Sequence, residues 1–189
     1  AVLLGDATGH GIGPALSVSQ VRAMFRMSQR LDAPLRQVFE QINEQLSDDL
    51  PQSRFVTTFI GMLDPVQHTL NYFSGGQGPL MHYRAADQSF AWLDASTIPL
   101  GIMAPLMMDE VPPVDMQPGD IFGLISDGIF EYENGAQMFG TDRTEQVIRD
   151  NAHIPAEQLI ERLRDAVAQF SNGTPQGDDM TIVFIKRNP

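Results

Sequence analysis

Three acidic motifs stand far apart in the 189-residue sequence: Asp6 in Gly-Asp-Ala-Thr-Gly-His-Gly, Asp127 in Ser-Asp-Gly, and Asp178 with Asp179 in Gly-Asp-Asp-Met-Thr. Each borders an apolar run that reads as a buried strand, so adjacent central strands would gather the three at one edge of a core. Converging carboxylates repel one another unless a cation sits among them, and an all-oxygen donor set favours Mg²⁺ or Mn²⁺ over zinc. Taken singly, each motif has a plainer reading. Asp6 alone could close an Asx turn before a helix, Asp127-Gly128 a hairpin, and Asp178-Asp179 a turn before the last strand. The residues after Gly128 do not mirror the strand before it, which counts against the hairpin. His10, with Gly on both sides, is either functional or an exposed loop residue.

Composition narrows the partners. Twenty-four acids against twelve bases give a net charge of −12, which argues against nucleic acid, since phosphate binding draws on Lys and Arg. Between Arg84 and Arg143 ten acids occur with no base, an asymmetry suited to cations. The absence of Cys excludes disulfides, thiolate catalysis and Cys-ligated zinc, and it suits a reducing cytoplasm. No apolar run approaches the ~18 residues of a membrane span. The length fits one domain, 1–189.

Positioning the motifs requires a frame of strands and helices. The opening apolar run lacks an initiator Met and reads as a strand cut open, so the chain looks like an N-terminally truncated fragment. A Gly-rich loop then leads to a helix over 14–30, and Pro34 opens a second, where Leu35, Val38, Phe39, Ile42 and Leu46 recur on one face. Strands are expected at 55–63, 70–73, 80–83 and 121–125, with a Pro-rich irregular interval, a candidate flap, before the last. Helices return over 141–151 and from Pro155, and a strand closes the chain at 180–186. Because helices and strands do not alternate, a doubly wound parallel sheet is disfavoured. The unbroken apolar character of 121–125 and 182–185 predicts strands covered on both faces, as in stacked sheets with helices outside.

Two rival readings of the loop fail on detail. Gly9-His10-Gly11 begins a dinucleotide fingerprint, but Pro14 occupies its last glycine position, and no Gly-Lys-Ser/Thr marks a P-loop. Arg22, Arg26 and Arg30 recur at i, i+4 and i+8; such a stripe is either solvated or a contact for a phosphoprotein or a regulatory helix. The ten Met residues are scattered and read as core filling.

In order and spacing these motifs resemble the bacterial PPM serine/threonine phosphatases of the SpoIIE and RsbU type, relatives of PP2C. The resemblance rests on Asp6-Ala7-Thr8-Gly9-His10-Gly11, Phe55-Val56-Thr57-Thr58, a Gly-rich hairpin over 70–79, Pro118-Gly119-Asp120, Ser126-Asp127-Gly128 with Glu131, Asn134, Gly135, Phe139 and Gly140, and Gly177-Asp178-Asp179-Met180-Thr181. It implies an α+β fold, an α-β-β-α sandwich of two antiparallel sheets flanked by helices, with the family's first strands and an upstream Gly-Asp motif missing. It also implies two Mn²⁺ or Mg²⁺ ions. Asp6 would bridge them, the Ala7 backbone carbonyl would bind the second, and Asp127 and Asp178 the first, with Asp179 ranked behind Asp178. The ions would activate a shared water against phosphoserine or phosphothreonine, with His10 a candidate general acid. Gln77 stands where relatives often carry His. By the same resemblance the substrate is a STAS-domain anti-sigma antagonist and a sensor or receiver domain lies upstream. The alternative is a non-catalytic adaptor controlling a sigma factor, against which the retention of Asp6, Asp127 and Asp178 counts.

Overall fold

The computed structural model describes residues 1–31, 33–135 and 137–188. Its first strand, β1 (Val2–Ala7), leads into α1 (Ile12–Ser28) and α2 (Leu35–Asp49), and then come β2 (Val56–Asp64), β3 (Thr69–Gly75), β4 (Leu80–Arg84) and β5 (Ser89–Leu93). A short β6 (Val114–Asp115) precedes β7 (Ile121–Ile125), one turn of helix α3 (Asp127–Phe130), and the two-residue strands β8 (Glu133–Asn134) and β9 (Gln137–Met138). The chain ends with α4 (Gly140–Asn151), α5 (Ala156–Ser171) and β10 (Ile182–Lys186). Every ladder between these strands is antiparallel, so the α+β expectation holds. Among the described residues no helix is long and apolar enough to cross a membrane.

The chain separates into two compact units, one comprising Ala1–Gln77 with Ala95–Asp115, the other Gly78–Asp94 with the chain from Met116 onward. In the first, the sheet order is β1-β2-β3-β6, with α1 against β1 and α2 against β3. Pro34 caps α2, and the predicted apolar face buries Val38, Phe39, Ile42 and Leu46 with Phe25, Val56, Ile60, Phe73 and Leu100. Neutral polar groups tie this core to its loops. The fully buried Asn43 donates to the Met103 carbonyl (2.9 Å) and accepts from the Gly101 amide (3.0 Å), and the Ser96 hydroxyl serves both the amide and the carbonyl of Ser74.

In the second unit the order is β10-β7-β4-β5. All five residues of β7 are buried, and Ile121, Ile125, Met81, Leu159, Leu163 and Val167 share one core. Its polar node is charged: the Asp120 carboxylate, 2% exposed, accepts from the amides of Ala85 (2.8 Å) and Gln117 (2.9 Å) and lies 3.3 Å from Nε2 of the buried His82. That fixes the end of β4 and the entry to β7 around one side chain.

Several sequence expectations need correction. Helix α1 starts two residues before Pro14, which a first turn tolerates because its N–H groups have no intrahelical partner, and it stops short of Arg30. The Gly-rich segment over 70–79 is not a hairpin, since β3 and β4 belong to different sheets and 76–79 is a crossover. Strand β10 is half-buried throughout because it is a sheet edge, and β1 is an edge as well, so neither carries its acid on a central strand. Strand β5, which the sequence reading passes over, pairs with β4 across a turn held by Asp87 Oδ1 accepting from the Ser89 amide (3.0 Å).

Candidate functional site

In the first unit, Asp6 is the exposed penultimate residue of β1, opposite Thr57 of β2. Ala7 is buried beside it, and Thr8 then clasps the neighbouring chain. Its amide (3.1 Å) and hydroxyl (3.0 Å) both reach the Phe55 carbonyl, and the Phe55 amide donates to Thr8 Oγ1 (2.9 Å). The clasp fixes where the loop leaves the sheet. Beyond it Gly9 (φ 89°) and Gly11 (φ 92°) take a conformation closed to most side chains, and His10 between them is exposed. The Thr57 hydroxyl makes long contacts, 3.4 Å each, to the Asp6 carbonyl and to Gln77 Oε1, so Gln77 approaches the acidic loop through one hydroxyl.

In the second unit, Asp127 opens α3 just beyond β7, and Asp178 precedes β10, the strand paired with β7. Ser126 locks the two segments: its amide donates to the Thr181 carbonyl (2.9 Å), its hydroxyl donates to the Asp179 carbonyl (3.1 Å) and accepts from the Thr181 amide (2.8 Å). The Asp178-Asp179 backbone also lies directly on Gly128, where an added Cβ would meet the Asp179 carbonyl oxygen at 2.3 Å. Both acids are exposed and each spends one oxygen on the following amide, Asp127 Oδ1 on Gly128 (3.0 Å) and Asp178 Oδ1 on Asp179 (2.7 Å). Among the described residues no hydrogen bond engages Oδ2 of either acid, and carboxylate oxygens are hard donors of the kind Mg²⁺ and Mn²⁺ take. A cleft of about 280 Å³ adjoins Asp178 and Gly128, lined also by Glu131, Tyr132, Glu133 and Thr174, with Tyr132 anchored by its hydroxyl on the Thr174 carbonyl (2.7 Å).

The structure thus brings Asp127, Asp178 and Asp179 together at one end of one sheet, and in the other unit it places Asp6 and Ala7 at the end of β1 and His10 on the loop that follows. Among the described residues no group of three or more His, Asp or Glu side chains is poised to hold an ion. Arg22 and Arg26 are exposed on α1, beside an equally exposed apolar line of Ile12, Leu16 and Met27, whereas Arg30 lies past the helix end. Sequence reasoning overlooked Arg54. It is the only base between Arg36 and Arg84, and that isolation immediately before Phe55 was the available signal.

The two antiparallel sheets with their helices form the fold of PP2C phosphatase domains. A SiaA-PP2C domain of Pseudomonas aeruginosa matches with a TM-score of 0.77 at 21% identity, covering 98% of this chain and 76% of its own. The PP2C phosphatase domain of the cell fate determinant SpoIIE from Bacillus subtilis, solved with a fragment of its regulatory domain, matches with a TM-score of 0.71 at 18% identity, covering 97% of this chain and 54% of its own. Residues 1–188 match the family model described as Stage II sporulation protein E (SpoIIE), and the chain belongs to that family. Phosphoserine phosphatase RsbU of Bacillus subtilis (strain 168) is 22% identical over 186 residues, 98% of this chain and 55% of the relative, so the chain spans about half of that protein.

Proposed function

We propose that residues 1–189 act as one metal-dependent protein serine/threonine phosphatase domain, which removes phosphate from phosphoserine or phosphothreonine of a regulatory protein. The observation that carries the reading is the acid pair at the ends of the paired strands β7 and β10, Asp127 and Asp178, each with one oxygen given to the following amide, on segments that Ser126 bonds together. Membership of the SpoIIE family supports it, as does the similarity to RsbX in complex with magnesium, at a TM-score of 0.59 over 97% of this chain.

In this reading Asp127 and Asp178 would hold one of two Mn²⁺ or Mg²⁺ ions, Asp6 would serve both, and the Ala7 carbonyl would serve the second. Asp179 stands behind Asp178, its amide already given to that carboxylate. When bound, the ions supply acidified water and offset the charge on the phosphoryl oxygens. The chain's own part is positional. The Thr8 clasp holds Asp6 and Ala7 at the sheet edge, Ser126 holds the acid pair, and His10 is the candidate proton donor to the departing serine or threonine oxygen. The substrate we favour is a STAS-type anti-sigma antagonist, in the cytoplasm, under control of a sensor or receiver domain.

The test is phosphate release from a phosphoprotein with Mn²⁺ or with EDTA, for the wild type and Asp127→Asn. Asparagine keeps the shape and removes the charge that holds the cation, so turnover should fall at least about 100-fold, the upper end of what losing a supporting contact of a metal ligand costs. The melting temperature in chelator should stay put, because Asp127 is exposed. Equal release with EDTA overturns the mechanism.

A further inference from the structure

Arg54 sits at the entry to β2, next to Phe55, the residue clasped by Thr8, so it is one position from the chain that fixes the acidic loop. Its guanidinium packs against Gly13. A Cβ added at Gly13 would meet Nη2 of Arg54 at 2.6 Å and its Cζ and Nη1 at 2.9 Å. Arg54 is only part-exposed, yet among the described residues no carboxylate, carbonyl or hydroxyl hydrogen-bonds or ion-pairs with its side chain. Arg36 and Arg149, also part-exposed, pair with Glu40 and Glu110 and with Glu145. A guanidinium carries five donors in a planar fork that matches a phosphoryl group, and covering it without a partner is costly. In a chain with twice as many acids as bases, leaving this cation unpaired beside a Gly-rich loop keeps it available for an anion from outside.

We infer that Arg54 binds the phosphoryl group of the substrate, a phosphate monoester, against the loop between Gly9 and Gly13. The inference rests on the phosphatase reading and deepens it by naming the residue that recognises the group to be removed. Gly13 belongs to the arrangement because it has no side chain: only then can the guanidinium lie on the first turn of α1. Substituting Ala there should displace Arg54 while leaving its charge in place, and the displacement is cheap because the atoms met are the far end of a flexible side chain.

The test titrates the whole chain with inorganic phosphate in chelator, following the Arg54 Nε–H and Gly13 amide signals by NMR. Kinetics on a phosphoprotein with Mn²⁺ accompany it. Phosphate should shift both signals in the wild type. Arg54→Met and Gly13→Ala should each weaken phosphate binding at least tenfold, Arg54→Lys should recover part of it, and KM should rise more than kcat falls, with Mn²⁺ affinity unchanged. Wild-type phosphate affinity in Arg54→Met, or no phosphate-dependent shift in the wild type, overturns the inference even if the enzyme turns over. Arg54-dependent phosphate binding by a chain that hydrolyses no phosphoprotein upholds this site and removes the phosphatase reading instead.

Discussion

The two units solve the same problem, presenting acids at a sheet edge, with different materials. The first offers a single carboxylate, Asp6, followed by a glycine loop that Thr8 ties to Phe55 through its amide and its hydroxyl. The second offers a pair, Asp127 and Asp178, pressed together by backbone contact at Gly128 and bonded through Ser126. Their interiors differ in the same sense. Asn43 and the Ser74–Ser96 pair organise the first with groups that do not titrate, whereas the second hangs the end of β4 and the entry to β7 on the Asp120 carboxylate and His82. A neutral node carries little electrostatic risk and tolerates acid; a charged one makes stronger bonds to more partners and fails harder when broken.

The largest expected effect follows from that contrast. Asp120→Ala strands the amides of Ala85 and Gln117 and removes the partner of His82. At about 1–3 kcal/mol for each buried donor left unmet, the loss should exceed about 3 kcal/mol. Asn43→Ala strands one amide and one carbonyl and should cost nearer 2 kcal/mol on the same scale. Urea unfolding of both variants measures the difference. If Asn43→Ala proves the costlier, the charged node is not the weaker point of the fold.

A smaller effect separates the two glycines at the acid-bearing loops. An Ala Cβ at Gly128 would run into the Asp179 carbonyl oxygen and carbon, at 2.3 and 3.0 Å, and neither can move without shifting the Asp178-Asp179 backbone. Gly128→Ala should therefore destabilise by about 1–3 kcal/mol, the usual cost of overpacking. Gly13→Ala meets only a guanidinium and gains helix propensity, so its melting temperature should hold or rise. Calorimetry on the two variants decides the matter, and equal losses would mean that both loops are held with equal rigidity.

Sequence alone showed much of this frame, and the places where it failed share a cause. The fully buried β7 was legible residue for residue because burial on both faces writes an unbroken apolar run. Helices α2 and α5 were legible through one buried face each and a proline at the cap. The crossover at 76–79 was misread because Gly75-Gly76-Gln77-Gly78 announces a turn without saying which sheet the next strand joins. Strand β5, half-buried at every position, carries too little alternation to be seen. Asp6, Asp127 and Asp178 stand out as motifs, but which carboxylate oxygens are engaged depends on local amides whose positions are set only by the fold. Arg54 left almost no trace, since an unpaired guanidinium is defined by what fails to surround it.

The smallest effect is a response to acid confined to one unit. Burial holds the His82 imidazole below its ordinary range; the hydrogen bond and charge of Asp120 pull the other way without overcoming it, and Arg84 adds to the lowering. Between the ordinary value near ~6.5 and the lower folded value, the unfolded chain binds a proton that folded His82 refuses. The unfolded state then carries more protons, so stability rises with pH across this window and is lost as pH falls below about 6.5. Among the described residues the buried polar side chains of the first unit are Asn, Ser, Thr and Tyr72, none of which titrates in this range. Amide exchange, corrected for intrinsic rates, should show β4 and β7 losing protection between pH 7 and 5.5 while β2 and β3 keep theirs. That range stays above ordinary carboxylate titration near pH ~4. His82→Gln, which can still donate to Asp120 but does not titrate, should flatten the response. Equal losses in both units, or a response that persists in His82→Gln, would place the acid sensitivity somewhere other than the charged node.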